Sequence, residues 1–170
     1  GGEESSVLPV WFEALPMPPR QHERNTNLDL AAGFIRGRGE TSAGIEYDPR
    51  DDAWVCFAEA KWYSDIDTKV SNHPERNQLA RVIENALHVQ GDGKFPDRVH
   101  VTLITPRRFR ERAFGTRLYR YKYEEYTSSP ETLLREFELA DETLPLRQED
   151  GRIHPDMRTR LESLRMHWIT

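Results

Sequence analysis

Residues 53–62 constrain the fold more than any other part of the chain. The apolar run Trp54-Val55-Cys56-Phe57-Ala58 predicts a strand with two apolar faces, as in a central strand covered on both sides. Glu59 and Lys61 continue one of these faces, about 7 Å apart along the strand. Burying two opposite charges costs several kcal/mol each unless they are paired or functional. They are therefore candidates for a functional site, with a salt bridge at the sheet edge as the structural alternative.

The N-terminal part predicts two further strands. It is irregular at first, with one helical turn around residues 11–15. Residues 28–36 are extended, and residues 43–47 form a second strand. Pro and Asp stand where turns favour them in residues 48–52, so residues 43–47 and 53–62 should pair as a hairpin.

A helix and a fourth strand follow. Asn72 and Glu75 have the spacing of a capping box. Apolar residues then recur at helical spacing at Leu79, Val82, Ile83, Ala86 and Leu87. Gly91 and Gly93 end the helix, and residues 99–105 form a strand. A strand, a helix and a strand in succession predict a crossover connection and a mixed sheet.

The last third of the chain is predicted to be helical. Ser128 and Glu131 form a second capping box that opens a helix to about Ala140. A final amphipathic helix is marked by Met157, Leu161, Leu164 and Trp168. The length of 170 residues suits one domain, with a core over about residues 27–106 and a helical C-terminal extension over about residues 107–170.

Composition excludes several classes. No apolar stretch approaches the ~20 residues that a membrane span needs, and no signal-peptide pattern is visible, so we expect no membrane partner. The single cysteine, Cys56, cannot form an internal disulfide and fits a reducing, cytoplasmic setting. The six histidines show no metal-ligand spacing with Cys56, which argues against structural zinc. We expect His73 and His88 at the surface or in caps, not as catalytic bases.

Charge is distributed unevenly. The net charge is −5, but residues 106–122 carry seven cations against one carboxylate, a net +6 that leaves −11 for the remainder. Aromatic residues are interleaved with these cations, which suits nucleic-acid phosphates with some base stacking. Arg107, Arg108 and Arg110 are the candidate nucleic-acid contacts. The alternative is a solvated surface paired with the acidic remainder.

Several of these features resemble one family. Phe57-Ala58-Glu59-Ala60-Lys61, placed after a strand hairpin, resembles the E-x-K half of the PD-(D/E)xK nuclease signature. The predicted order of strands and helix over about residues 27–106 is similar to that superfamily's core. Leu28-Asp29-Leu30 resembles its upstream aspartate motif, and Gln78 matches a glutamine that many members carry. A looser similarity to uncharacterised bacterial members includes Asn27, Gly33, Gly44, Arg76 and Asn77.

The resemblance implies a fold, a reaction and a cofactor. The fold would be α/β with a restriction-endonuclease-like core: a mixed four-stranded central sheet flanked by helices, with extra C-terminal helices. The reaction would be metal-dependent phosphodiester hydrolysis, with DNA as the favoured substrate. Asp29, Glu59 and the Ala60 carbonyl would bind Mg²⁺ or Mn²⁺. Lys61 would assist the attacking water, and Gln78 would complete the catalytic set unless it is a solvated helix residue.

The sequence leaves several alternatives open. Asp29 precedes Glu59 by a long interval, so Glu46, expected on the strand beside residues 53–62, competes as the upstream acid. Glu13 or Glu23 could supply a further glutamate. The chain could also be a catalytically inactive nucleic-acid-binding or assembly module on the same fold, or a domain in which the two charges are only a salt bridge. Apolar residues of the final helix could pack on the core or on a second subunit, giving a homodimer.

Overall fold

The computed structural model describes residues 8–39, 41–63, 76–111, 118–149 and 151–170. The strands are β1 (Val10–Pro16), β2 (Leu28–Gly33), β3 (Ile35–Gly37), β4 (Gly44–Tyr47), β5 (Trp54–Ala60), β6 (Arg98–Ile104) and β7 (Leu164–Ile169). The helices are α1 (Gln78–His88), α2 (Arg107–Glu111), α3 (Leu118–Ser128), α4 (Glu131–Asp141) and α5 (Met157–Glu162).

One mixed sheet organises these elements. Its order is β3-β4-β1-β2-β5-β6-β7. β1, β2 and β5 are antiparallel in turn, whereas β6 and β7 add to β5 in parallel. α1 connects β5 to β6 and packs on both, as the strand, helix and strand pattern predicted. The α/β class is confirmed, but the prediction of four strands is wrong, because seven strands form the sheet within the described residues.

The predicted hairpin between residues 43–47 and 53–62 is wrong. β4 pairs with β3 and β1, so two strands separate it from β5, and the neighbour of β5 is β2. Gly33 explains the difference. Its φ of +106° bends the chain between β2 and β3, and a Cβ there would lie 2.5 Å from the Trp54 carbonyl oxygen. This bend carries β3 and β4 away and leaves β2 beside β5.

Two terminal segments also differ from the prediction. Residues 11–15 belong to β1, not to a helical turn, because they pair along the edge of β2. The final amphipathic helix is only α5, and β7 follows it as an edge strand on β6. Leu164, Met166 and Trp168 also alternate with period two, and pairing with β6 satisfies that pattern.

Helix capping agrees only in part. α4 confirms the predicted helix, but Ser128 donates back to the Glu124 carbonyl inside α3 and does not cap α4. Asn72 and Glu75 lie outside the described residues. α1 begins at Gln78, and the Asn77 side chain caps it by accepting from the Ala80 N–H at 3.0 Å.

The two faces of the sheet differ in burial. Val55 and Phe57 are fully buried on the face that α1 covers, where each such side chain contributes about 1.5–3 kcal/mol. Trp54 and Cys56, on the opposite face, remain partly exposed while Ala58 on that face is buried, so the prediction of a strand covered on both sides holds only in part. In the described part of the chain, every helix is too short or too polar to cross a membrane.

Candidate active site at the end of the central strands

Two carboxylates meet where β2 and β5 separate. In the antiparallel ladder Leu30 lies opposite Ala58, and continuing this register by one residue places Asp29 opposite Glu59. Residues directly opposite share a face of the sheet, with Cβ atoms about 5 Å apart. The Asp29 side chain acts here as the acceptor that a backbone carbonyl of β2 would otherwise provide, because its Oδ2 accepts from the Ala60 N–H at 2.6 Å.

Glu59 is the buried centre of this site. Its side chain is 3% exposed, and its Oε1 accepts from the Lys61 ammonium at 2.7 Å and from the Gln78 amide. Its Oε2 is buried and has no hydrogen-bond partner among the residues that the structure describes. Burial raises the pKa of Glu59 and the Asp29 charge adds to that rise, while Lys61 and Gln78 oppose it. An unmatched buried acceptor costs about 1–3 kcal/mol, and a ligand bound at Oε2 would remove that cost.

Lys61 reaches Glu59 through strand alternation. Side chains two residues apart lie on one face, which brings its ammonium over the carboxylate. The Lys61 backbone N–H donates to the Ile104 carbonyl at 2.8 Å, so the end of β5 is fixed against β6. The side chain is 14% exposed, and Lys61 therefore stands between the buried carboxylate and solvent.

Gln78 enters the site from the first turn of α1, and the preceding residue holds it there. The Asn77 amide donates to the Tyr126 hydroxyl at 2.6 Å and to Glu136 at 3.1 Å. Asn77 therefore ties the start of α1 to α3 and α4. Because Asn77 fixes the start of the helix, the backbone of Gln78 is fixed as well, and its side-chain amide donates to Glu59.

The structure separates Glu46 from this site, whereas Glu13 lies on β1, next to β2. Glu46 lies on β4, two strands away from β5, and pairs with Arg36 at 2.7 Å. The expectation that Glu46 lies beside β5 is wrong, because the bend at Gly33 carries β3 and β4 away from β5. Glu13 is exposed on β1 and accepts from the Asn27 amide.

A buried ionic network was not foreseen from the sequence. Arg20 and Glu84 are 1% and 0% exposed and are joined at 2.5 Å, and Arg76 also pairs with Glu84. Glu23 pairs with Arg76 at 3.2 Å and is absorbed in this network. Burial raises the pKa of Glu23, whereas the two arginines hold the pKa of Glu84 below its usual value. The sequence held one signal of this network: Glu84 is a charged residue four positions after Ala80, and this helical spacing places it on the apolar face of α1.

The basic segment begins at the same edge of the sheet. Ile104 pairs with Ala60, and α2 starts three residues after Ile104. The Arg107 side chain is 78% exposed and pairs with Glu111, and Arg108 lies over the Phe109 ring at 4.9 Å. Both guanidinium groups stay at the surface.

Other cations of this segment already have partners. Arg110 donates to the Trp168 carbonyl at 3.0 Å. Lys122 pairs with Glu125 at 2.9 Å and with Glu136 at 2.7 Å. Arg112 and Arg117 lie outside the described residues. Of the three candidate contacts, Arg107 and Arg108 are thus the better placed to meet a phosphate.

The donor set fits a hard divalent cation. Asp29 and Glu59 supply carboxylate oxygens, and the Ala60 carbonyl faces the same side of its strand as the Ala60 N–H that meets Asp29. Mg²⁺ commonly uses one or two carboxylates and keeps several waters. No group of three or more acidic, histidine or cysteine side chains forms a richer metal site in the described ranges.

Comparison with protein-family models, with curated proteins and with solved structures found no match to the chain. A fold hosts many functions, so the function has to be argued from the site.

Proposed function

We propose that the chain is a metal-dependent phosphodiester hydrolase, a nuclease of the PD-(D/E)xK type that acts on DNA. The observation that carries the proposal is the convergence of Asp29, Glu59, Lys61 and Gln78 at one end of β5, with one buried Glu59 oxygen left unmatched. The antiparallel strands β1, β2 and β5, followed by α1 and parallel β6, support a restriction-endonuclease-like core.

The residues divide the chemistry among them. Asp29, Glu59 and the Ala60 carbonyl would hold Mg²⁺ or Mn²⁺, which when bound neutralises phosphate charge and activates water. Gln78 and Lys61 occupy one oxygen of Glu59 and leave the other for a ligand. The Lys61 ammonium, at the solvent side of the site, orients the attacking water and stabilises the negative charge that develops on the phosphate.

The substrate would approach along the edge where β5 and β6 end. Arg107 and Arg108 begin α2 at this edge and are exposed. An exposed pair such as Arg107 with Glu111 is weak, so a DNA phosphate can replace the carboxylate as partner. These arginines would position the backbone and contribute a salt-dependent part of the affinity.

Cleavage of plasmid and single-stranded DNA with Mg²⁺ or Mn²⁺ tests the proposal. We expect cleavage by the wild type and its loss in Asp29→Asn and in Glu59→Gln. Glu46→Gln is the matched control, since it removes an acid two strands from the site and should keep full activity. A wild type that cleaves neither DNA with either metal, or a Glu59→Gln variant that cleaves as well as the wild type, would refute it.

A second candidate is a catalytically inactive nucleic-acid-binding or assembly module. What favours it is that Lys61 and Gln78 already satisfy Glu59 Oε1, and Asp29 already binds the Ala60 N–H. Such a module would bind DNA with unchanged affinity in Glu59→Gln and would cleave nothing.

The first proposal also includes a cytoplasmic setting and a homodimer. Sedimentation velocity at several concentrations would test the dimer.

A further inference from the structure

A cavity of about 210 Å³ lies at the end of α1 opposite to Gln78. Its wall includes His88, which is the last residue of α1, the following residues 89–93, and also Arg38 and Arg152. His88 lies ten positions after Gln78 on α1, which is about 15 Å along the helix. The cavity is therefore distinct from the site around Glu59.

His88 lines this cavity, and its ring is buried. The residue is 2% exposed, not at the surface as its sequence context suggested, and neither Nδ1 nor Nε2 has a hydrogen-bond partner among the described residues. Burial lowers the pKa of His88 to about 4, so the ring is neutral at pH 7. A neutral imidazole offers one N–H donor and one acceptor, and both lack a partner here.

Arg152 also lines this cavity. Its Nε and Nη2 are both buried and have no hydrogen-bond partner within the part of the chain that the structure describes. Arg20 uses the same two nitrogens to hold the carboxylate of Glu84, so the chain itself shows what this edge of a guanidinium binds. Two parallel N–H groups match the two oxygens of a carboxylate or phosphate.

The acidic residues of the wall are already paired. Glu46 and Asp92 bind Arg36 at 2.7 and 2.9 Å, and Glu149 binds Arg147 at 3.3 Å. The C-terminal end of a helix repels anions, but Arg160 donates to the Leu87 carbonyl at 3.3 Å and offsets that effect. The unmatched groups are thus mainly donors, which favours an oxyanion over a cation.

We propose that this cavity binds a small oxyanion, the phosphate or carboxylate group of a compact ligand, through Arg152 and His88. The Arg152 fork holds two oxygens, and the His88 N–H donates to the same ligand. The volume holds about seven waters at ~30 Å³ each and lies below the ~300 Å³ typical of drug-sized pockets, so the ligand has few atoms.

Calorimetric titration of the full chain tests the site, with inorganic phosphate in one arm and acetate in the other at constant ionic strength. We expect saturable 1:1 binding of at least one oxyanion, and the stronger arm identifies its source. Arg152→Gln should weaken that binding about tenfold or more. Arg158→Gln is the matched control, because Arg158 is exposed and paired with Glu131. Glu59→Gln should bind like the wild type, which separates this site from the proposed nuclease.

Thermal melting checks that each variant folds. If Arg152→Gln does not, the ring resonances of His88 in wild-type protein, followed by NMR during the same titration, replace it and should shift with the binding curve. Absence of saturable binding in both arms, equal affinity in Arg152→Gln, or His88 resonances that stay fixed would overturn the proposal. A crystal structure grown with the oxyanion that shows only water on Arg152 would overturn it too.

Discussion

Replacing Lys61 with alanine should destabilise the protein by an amount that depends on pH. The Lys61 ammonium lies 2.7 Å from a Glu59 carboxylate whose side chain is 3% exposed. Without it, Gln78 is the one donor that Glu59 keeps among the described residues, and Glu59 faces the charge of Asp29. An uncompensated buried charge costs about 3–5 kcal/mol, and Glu59 can escape part of that cost by binding a proton.

Protonation sets the size of the effect. A carboxyl group with an ordinary pKa of 4.5 needs about 3.4 kcal/mol to bind a proton at pH 7 and about 0.7 kcal/mol at pH 5. Because burial raises the pKa of Glu59 in the folded state, the folded state binds this proton more tightly than the unfolded state does. The stability that follows is present at low pH and is lost as pH rises. The charge-related loss in Lys61→Ala should therefore reach about 3 kcal/mol at pH 7 and fall below 1 kcal/mol at pH 5.

Urea unfolding followed by tryptophan fluorescence, with a chelator present, measures this difference. The double variant Lys61→Ala with Glu59→Gln is the control, because it removes the charge and should lose the pH dependence. An equal loss of stability at pH 5 and pH 7 in the single variant would refute the reasoning, since it would mean that Lys61 contributes by packing alone.

Four further predictions concern other parts of the molecule. Mn²⁺ should raise the melting temperature of the wild type, since it binds only the folded state, and Glu59→Gln should abolish that rise; an equal rise would place the metal elsewhere. Replacing Arg107 and Arg108 with Ala should weaken DNA binding and lower the salt slope by about one each in fluorescence anisotropy, whereas an unchanged slope would exclude phosphate contacts. The folded pKa of His88, about 4, lies below its ordinary 6.5, so the unfolded state binds the proton first. Stability should then fall by up to about 3 kcal/mol as pH drops from 6.5 to 4 in urea unfolding, and His88→Phe should lack this part. Glu84→Gln removes the buried carboxylate that Arg20 and Arg76 share, and should cost about 3 kcal/mol or more although Arg20 keeps Asp141 and Arg76 keeps Glu23 as partners; a melting temperature like that of the wild type would contradict this.

The sequence by itself determined the elements whose signals are local. Helical spacing of apolar residues predicted α1, and the two runs around it predicted β5 and β6 as strands of a mixed sheet. The charges at Glu59 and Lys61 stood out because they interrupt an apolar face, and their proximity follows from the two-residue period of a strand. These patterns need only the chain's own geometry.

Only the tertiary structure decided which segments meet. The partner of β5 depended on the bend at Gly33, and that choice brought Asp29 to Glu59 and moved Glu46 away. The burial of His88 depended on packing against distant segments as well. The pattern ending at Trp168 suited both a helix and a strand, and the free edge of β6 made it a strand. Strand pairing joins residues far apart in the sequence, and its free energy comes from hydrogen bonds and burial that no local period records.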